Sequence, residues 1–217
     1  MTFSLSDAQL LYLLQATKWT LLLSAIAFAG GSLCGLILAL ARVSSNRVIS
    51  WSALLFIQAV QGTPLLILLF LAYFGLGMVG ADVSPLMAAS VSLTIYSGAF
   101  LGEIWRGCIQ AIPKAQWEAA ECLGLTPSNQ YAYVILPQAI RIAVPPTVGF
   151  LVQIVKNTSL TSIIGFVELT RASQVINNSI FSPFLVYGVA ALIYFSICYP
   201  LSLSSRHLEK RLNVQSR

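Results

Sequence analysis

The chain has 217 residues, 57% of them hydrophobic and only 9% charged, with a formal net charge of +5. A water-soluble domain carries about 25% charged residues to cover its surface, so most of this surface is expected to face lipid. That argues against an enzyme acting alone, and against a nucleic-acid partner for the basic excess, because no soluble domain exists to carry either role.

A membrane-spanning helix needs roughly 20 consecutive, mostly apolar residues. Five segments meet that test, at about 17–41, 51–76, 86–110, 143–165 and 183–205. The expected fold is therefore all-α, a single polytopic membrane domain with about five transmembrane helices. The first segment carries no charge from Trp19 to Ala41. It is too long, and too poorly flanked by basic residues, for a cleaved signal peptide. Gly31 and Gly35 lie four apart in it, a spacing that permits tight helix packing.

The second segment contains Pro64, which removes a backbone donor and can bend or interrupt a helix. Broken helices often line the substrate sites of transporters. The third contains Gly98 and Gly102 at the same small-residue spacing, and Glu103 with Arg106, three apart and able to pair along the helix. Tyr96 lies one to two turns above Glu103, where its hydroxyl can join the same cavity.

The loop at about 113–137 follows. Pro113 suits a first helical position, Lys114 to Leu123 are good helix formers, Gly124 can take the left-handed cap and Pro127 prevents continuation. The spacing predicts a helix of about ten residues, too short to span a membrane. Trp117, Ala120 and Gly124 fall on one face, and Ala119, Cys122 and Leu123 on another. Its small residues let another surface approach the backbone closely. Physics alone leaves two readings open: a stiff mechanical coupling element tethered to two spans, and an interfacial helix resting on the headgroups.

The fourth segment begins near Pro145-Pro146 and contains one charge, Lys156. An ionisable group at mid-bilayer costs about 2.5–3.5 kcal/mol on insertion scales, so it faces protein or water. Gln153, Lys156 and Asn157 share one helix face, with Gly149 a turn earlier. This polar stripe suits a binding site or a polar helix contact. The lysine can pair with the carboxylate of an amino acid or with Glu103. The fifth segment is uncharged from Phe181 to Ser205, and Arg206, Lys210, Arg211 and Arg217 follow it.

Arg42, Arg47, Arg106, Lys114 and Arg141 fall at or between alternate spans, on the same side as that basic tail. The other side holds Lys18, Arg171, Asp7, Asp82 and Glu168. The positive-inside rule then places the N-terminus outside and the C-terminus in the cytoplasm, as an odd number of spans requires. Cysteines 34, 108, 122 and 198 have no metal or redox spacing. His207, the only histidine, lacks partners for a triad or a metal site. No G-x-x-x-x-G-K-[ST] segment is present to hold nucleotide phosphates. The chain is expected to carry no cofactor and to draw its energy from elsewhere.

The segment from Glu118 to Pro137, EAAECLGLTPSNQYAYVILP, resembles the E-A-A…G…I-L-P signature of membrane subunits in ATP-binding-cassette importers. The match falls on Glu118, Ala119, Ala120, Gly124, Ile135, Leu136 and Pro137. Gln61-Gly62-Thr63-Pro64 looks like the R-G-T-P element of the polar amino-acid branch. Glu103 to Gly107, Lys156 to Leu160 and Ile164 to Leu169 look like that branch too, and the pattern runs from about 51 to 205. Gln61 stands where the family usually has arginine, and Asn157 where aspartate is common.

The resemblance implies a permease subunit in the bacterial inner membrane. Its short helix would dock in an ATPase subunit through Glu118, Ala119 and Ala120, with Gly124 turning the chain and Leu136-Pro137 starting its return. A second permease subunit, identical or homologous, and a periplasmic or extracellular amino-acid-binding protein would complete the system. Gln61, Thr63, Tyr96, Glu103, Gln153, Lys156, Asn157 and Ser159 would lie along the substrate path. The alternative is a stand-alone channel or secondary carrier for a small polar solute.

Overall fold

The computed structural model describes residues 5–78, 80 and 82–213; Arg217, counted above in the basic tail, lies outside them. Ser6 opens the first helix with a capping box, accepting from the Gln9 N–H at 3.3 Å while the Gln9 side chain accepts from the Ser6 N–H at 3.0 Å. Helix α1 then runs over Asp7–Val43, starting well before the boundary near residue 17 that the apolar run marks. Its first turns are amphipathic: Leu13 and Ala16 are buried, while Leu10, Leu11 and Leu14 face outward.

Asn46 caps α2 (Arg47–Gln61), its side-chain oxygen accepting from the Val48 and Ile49 N–H groups. The expected single span at 51–76 is instead a broken pair. After Gln61 the axis turns by 97° into Leu65–Met78. Pro64 cannot donate to the Val60 carbonyl, and proline disfavours helical backbone at Thr63 before it. The second arm comprises α3 (Leu65–Phe70), a wide π-helical turn over Leu71–Gly75 and α4 (Leu76–Met78).

Helix α5 (Pro85–Gln110) follows an N-cap at Ser84 and agrees with the expected third span. Helix α6 (Lys114–Cys122) is the short helix of the loop, closed by Gly124 at φ +70°. Helix α7 (Pro127–Asn129) and a π-helical stretch over Gln130–Ile135 lead into α8 (Leu136–Asn157), which tightens into a 3₁₀ segment over Thr158–Ile164. The fourth span therefore begins before 143, and Pro145-Pro146 lie inside its helix instead of opening it. Ser205 braces this stretch from outside the helix, its Oγ donating to the Pro145 carbonyl at 2.8 Å.

Gly165, at φ +86°, reverses the chain. An unexpected helix, α9 (Leu169–Ile180), follows before α10 (Pro183–Asn213). Among the described residues four helices are long and apolar enough to cross a membrane, or five with the broken pair counted as one span. Large apolar side chains such as Leu33, Ile37, Trp51, Leu55 and Leu192 are exposed along them, as lipid contact requires.

Helices α1 and α5 approach very closely. A methyl group added at Gly31 would lie 2.5 Å from Ser97 Cβ, and one at Gly98 would lie 2.8 Å from Cys34 Cβ. The two G-x-x-x-G stripes of the sequence thus face each other. Helix α5 also packs on α8, α8 on α10, and α9 bridges α1 and α10. Trp105 Nε1 donates to Thr147 Oγ1 at 2.8 Å and fixes α5 to α8. A core of Leu23, Leu69, Leu93 and Ile154, among others, ties the second arm of the broken span to α1, α5 and α8.

Candidate translocation face and coupling element

The polar stripe of α8 is open. Gln153 and Lys156 are exposed, Gln153 Nε2 donates to Asn157 Oδ1 at 3.2 Å, and Ser159 Oγ donates to the Lys156 carbonyl at 2.7 Å. Glu103 is not the partner of Lys156. Its carboxylate is held by Arg106, whose Nε lies 2.9 Å from both oxygens and whose other nitrogens bond Glu103 and Gln110. Of the pairings left open by the sequence, the internal Glu103–Arg106 pair is the one formed, and Lys156 has no ion-pair partner among the described residues.

Gln61 Nε2 donates to the Ala99 carbonyl at 3.3 Å, so the residue at the break holds α2 against α5. Thr63 bonds back to the Ala59 carbonyl at 2.8 Å. Tyr96 enters an aromatic stack: its ring centroid is 4.5 Å from Phe100 and 6.5 Å from Phe150 on α8. These contacts join Gln61 and Tyr96 to the bundle, but no hydrogen bond links either of them to the Lys156 stripe among the described residues.

The short helix α6 has a held face and a free face. Trp117 meets Tyr131 edge-on, 5.1 Å between centroids, and Ala120 is only 2% exposed. Both sit beside a cluster of Ile109, Ile112, Ile135 and Ala139, with Val43 and Leu136 at its edge. Gln138 Nε2 bridges to Gln116 Oε1 at 3.3 Å. The small size of Ala120 therefore serves packing within the chain. Glu118, Ala119, Glu121 and Cys122 stand exposed away from that cluster, and Gly124 and Pro137, outside the helix, are exposed too.

Glu168, by sequence a far-side charge within the Ile164–Leu169 element, is a buried carboxylate, which spacing alone does not reveal. It is fully buried at the start of α9, accepting from the Thr170 N–H at 2.9 Å, the Arg171 N–H at 2.8 Å and the Tyr194 hydroxyl at 2.8 Å. Burial pushes its carboxyl above the ordinary value, against the pull of those donors. Thr20 Oγ1 accepts from the Leu169 N–H at 3.1 Å, so α1, α9 and α10 meet at this one point.

Together these features define a class: a polytopic permease component, with a polar span face and a short helix held to the bundle at its basic end. The chain belongs to the family of binding-protein-dependent transport system inner membrane components, whose model matches residues 31–214. It is thus a membrane permease of an ATP-binding-cassette importer. It is 36% identical over 200 residues to the probable amino-acid ABC transporter permease protein YckA of Bacillus subtilis (strain 168), covering 92% of this chain and 88% of that one. It is also 36% identical over 204 residues to the glutamine transport system permease protein GlnP of Escherichia coli (strain K12), covering 93% of each. Among solved structures, the crystal structure of an amino acid ABC transporter with histidines superposes with a TM-score of 0.89 at 33% identity, covering 96% of this chain and 99% of that chain. The inward-facing MetNI methionine ABC transporter, at 18% identity and a TM-score of 0.81, shares the fold.

Proposed function

We propose that this permease carries a polar amino acid inward, lining the path with a second copy or a homologous subunit and driven by ATPases that dock on the free face of α6. The observation that carries the proposal is the two-sided character of α6. Trp117 and Ala120 fasten it to the bundle, and Glu118, Ala119 and Glu121 face away. A short helix held in this way passes a push from outside directly to α5 and α8. Relatives named for amino acids, glutamine and cystine support the cargo class. The open stripe of Gln153, Lys156 and Asn157 supports a path along α8, with Lys156 offered to a carboxylate.

In this reading the end carrying Arg42, Arg47, Arg141 and Arg206 is cytoplasmic and the N-terminus is outside. A binding protein delivers cargo at the other end. The test is uptake of labelled L-glutamine, and of a panel of other polar amino acids, into vesicles holding the permease, its ATPase and its binding protein. Uptake should require ATP, and Glu118→Arg should abolish it together with co-purification of the ATPase. Uptake that proceeds without any ATPase would establish the stand-alone carrier instead.

A further inference from the structure

The face of α8 that carries Lys156 does not end there. Stepping back by three and four residues from Lys156 leads through Gln153, Gly149 and Pro145-Pro146 to Ile142. At 1.5 Å per residue, Arg141 lies about 22 Å along the helix from Lys156, at the basic end of the same stripe. There α8 and α10 border an open cavity of about 470 Å³, lined by Arg141, Ile142, Pro145 and Pro146 on one side and by Ser205 and Glu209 on the other. Small-molecule sites occupy roughly 300–1,000 Å³.

The chemistry of its walls is specific. Arg141 and Glu209 are both exposed, and neither is in an ion pair among the described residues. Pro145 and Pro146 have no N–H, so the carbonyls of Arg141 and Ile142 lose the donors that a regular helix would supply four residues on. The Pro145 carbonyl is covered by Ser205 Oγ at 2.8 Å. The residues lining this cavity thus include a cation, a carboxylate and two carbonyls without their helical donors. A ligand that satisfies all of them carries an anion and an ammonium close together.

We infer that this cavity is a second binding site for the zwitterionic head of a free α-amino acid, at the far end of the helix face that carries Lys156. The Arg141 guanidinium takes the α-carboxylate, in the paired geometry that arginine favours. Glu209 and the carbonyls of Arg141 and Ile142 take the α-ammonium. With the basic end cytoplasmic, as proposed above, the site lies at the exit and fills from the cytoplasmic pool. Amino acid held there occupies the mouth of the path and slows further import.

The inference rests on the proposed cargo and orientation, and the experiment separates them. The complete transporter is reconstituted in vesicles with its cytoplasmic face inward, and initial ATP-driven uptake of labelled L-glutamine is measured with and without unlabelled L-glutamine inside. Internal glutamine should inhibit the natural protein. Arg141→Ala and the milder Glu209→Gln should each raise the half-inhibitory concentration about tenfold, the effect of losing one charge-assisted hydrogen bond. Uptake into empty vesicles should stay within about twofold, which also shows that the variants are folded. Glutaramic acid, lacking the α-ammonium, and 4-aminobutanamide, lacking the α-carboxylate, should not inhibit from inside. Unchanged inhibition in both variants, or equal inhibition by either analogue, overturns the site. Uptake that ignores internal glutamine overturns the site while leaving the proposed function standing. Absence of ATP-driven glutamine uptake into empty vesicles overturns the glutamine reading, and this site with it.

Discussion

The indole of Trp117 stands edge-on to the ring of Tyr131, 5.1 Å between centroids and 81° between planes. The two residues belong to different limbs of the loop, Trp117 to α6 and Tyr131 to the π-helical stretch that leads into α8. The pair closes the loop on itself, so α6 cannot shift without carrying the start of α8 with it. Edge-to-face aromatic pairs contribute about 0.5–1.5 kcal/mol beyond their buried area. Trp117→Ala should therefore leave ATPase bound yet lower the amino acid moved per ATP hydrolysed by severalfold, while Trp117→Phe keeps most of the coupling. Parallel measurement of uptake and phosphate release in the same vesicles checks this.

The α1–α5 contact predicts opposite outcomes for two identical substitutions. Gly31→Ala forces a methyl group to 2.5 Å from Ser97 Cβ, and overpacking of this kind costs about 1–3 kcal/mol. Gly188 in α10 has nothing within 4 Å of an added methyl group, so Gly188→Ala should be neutral or gain up to about 1 kcal/mol from helix propensity. Thermal unfolding of the detergent-solubilised protein should show a fall in Tm for the first and none for the second.

Glu168 and Tyr194 should behave as a coupled pair. Glu168→Ala leaves the part-buried N–H groups of Thr170 and Arg171 without acceptors, at about 1–3 kcal/mol. Tyr194→Phe removes one donor, at about 0.5–1.5 kcal/mol. Because both act on the same carboxylate, the double variant should lose less than the sum of the two. A double-mutant cycle on thermal stability measures the difference.

Lys156→Met keeps the length of the side chain and removes its charge. Because Lys156 is exposed and unpaired among the described residues, the fold should tolerate the change. On the proposed path, uptake should fall about tenfold or more, and Lys156→Arg should recover part of it. Co-purification with the ATPase should be unchanged in both. Full uptake by Lys156→Met would remove the residue from the path.

The spans were legible because a charge-free run of lipid-facing length has few other uses, and α5 ends where the apolar run ends. Pro64 announced a break, but its 97° angle depends on how Leu65 and Leu69 find a core made by α1, α5 and α8. Helix α9 was hidden by polarity. Its buried residues Leu169, Ala172, Ser173 and Ile176 follow helical spacing, yet Thr170, Arg171, Gln174, Asn177 and Asn178 made the segment look like an external loop. The start of α8 was misplaced because Pro145 and Pro146 resemble an interruption, and the supporting bond from Ser205 comes from sixty residues away. Of the candidate site, the α8 stripe and the short helix were readable from periodicity. The commitment of Glu103 to Arg106, and the inward role of Ala120, depend on side-chain direction and neighbours that spacing alone does not determine.

The meshed glycines of α1 and α5 also divide the molecule mechanically. Two backbones in such close contact slide or rotate against each other only by colliding, so the pair travels as one beam. Bending is left to places where the regular ladder is already open: the Gly62-Thr63-Pro64 break, the π-helical turns, and Gly165 beyond the 3₁₀ segment. In any cycle that exposes one end of the path and then the other, those are the joints, and α1 with α5 is the frame they swing from.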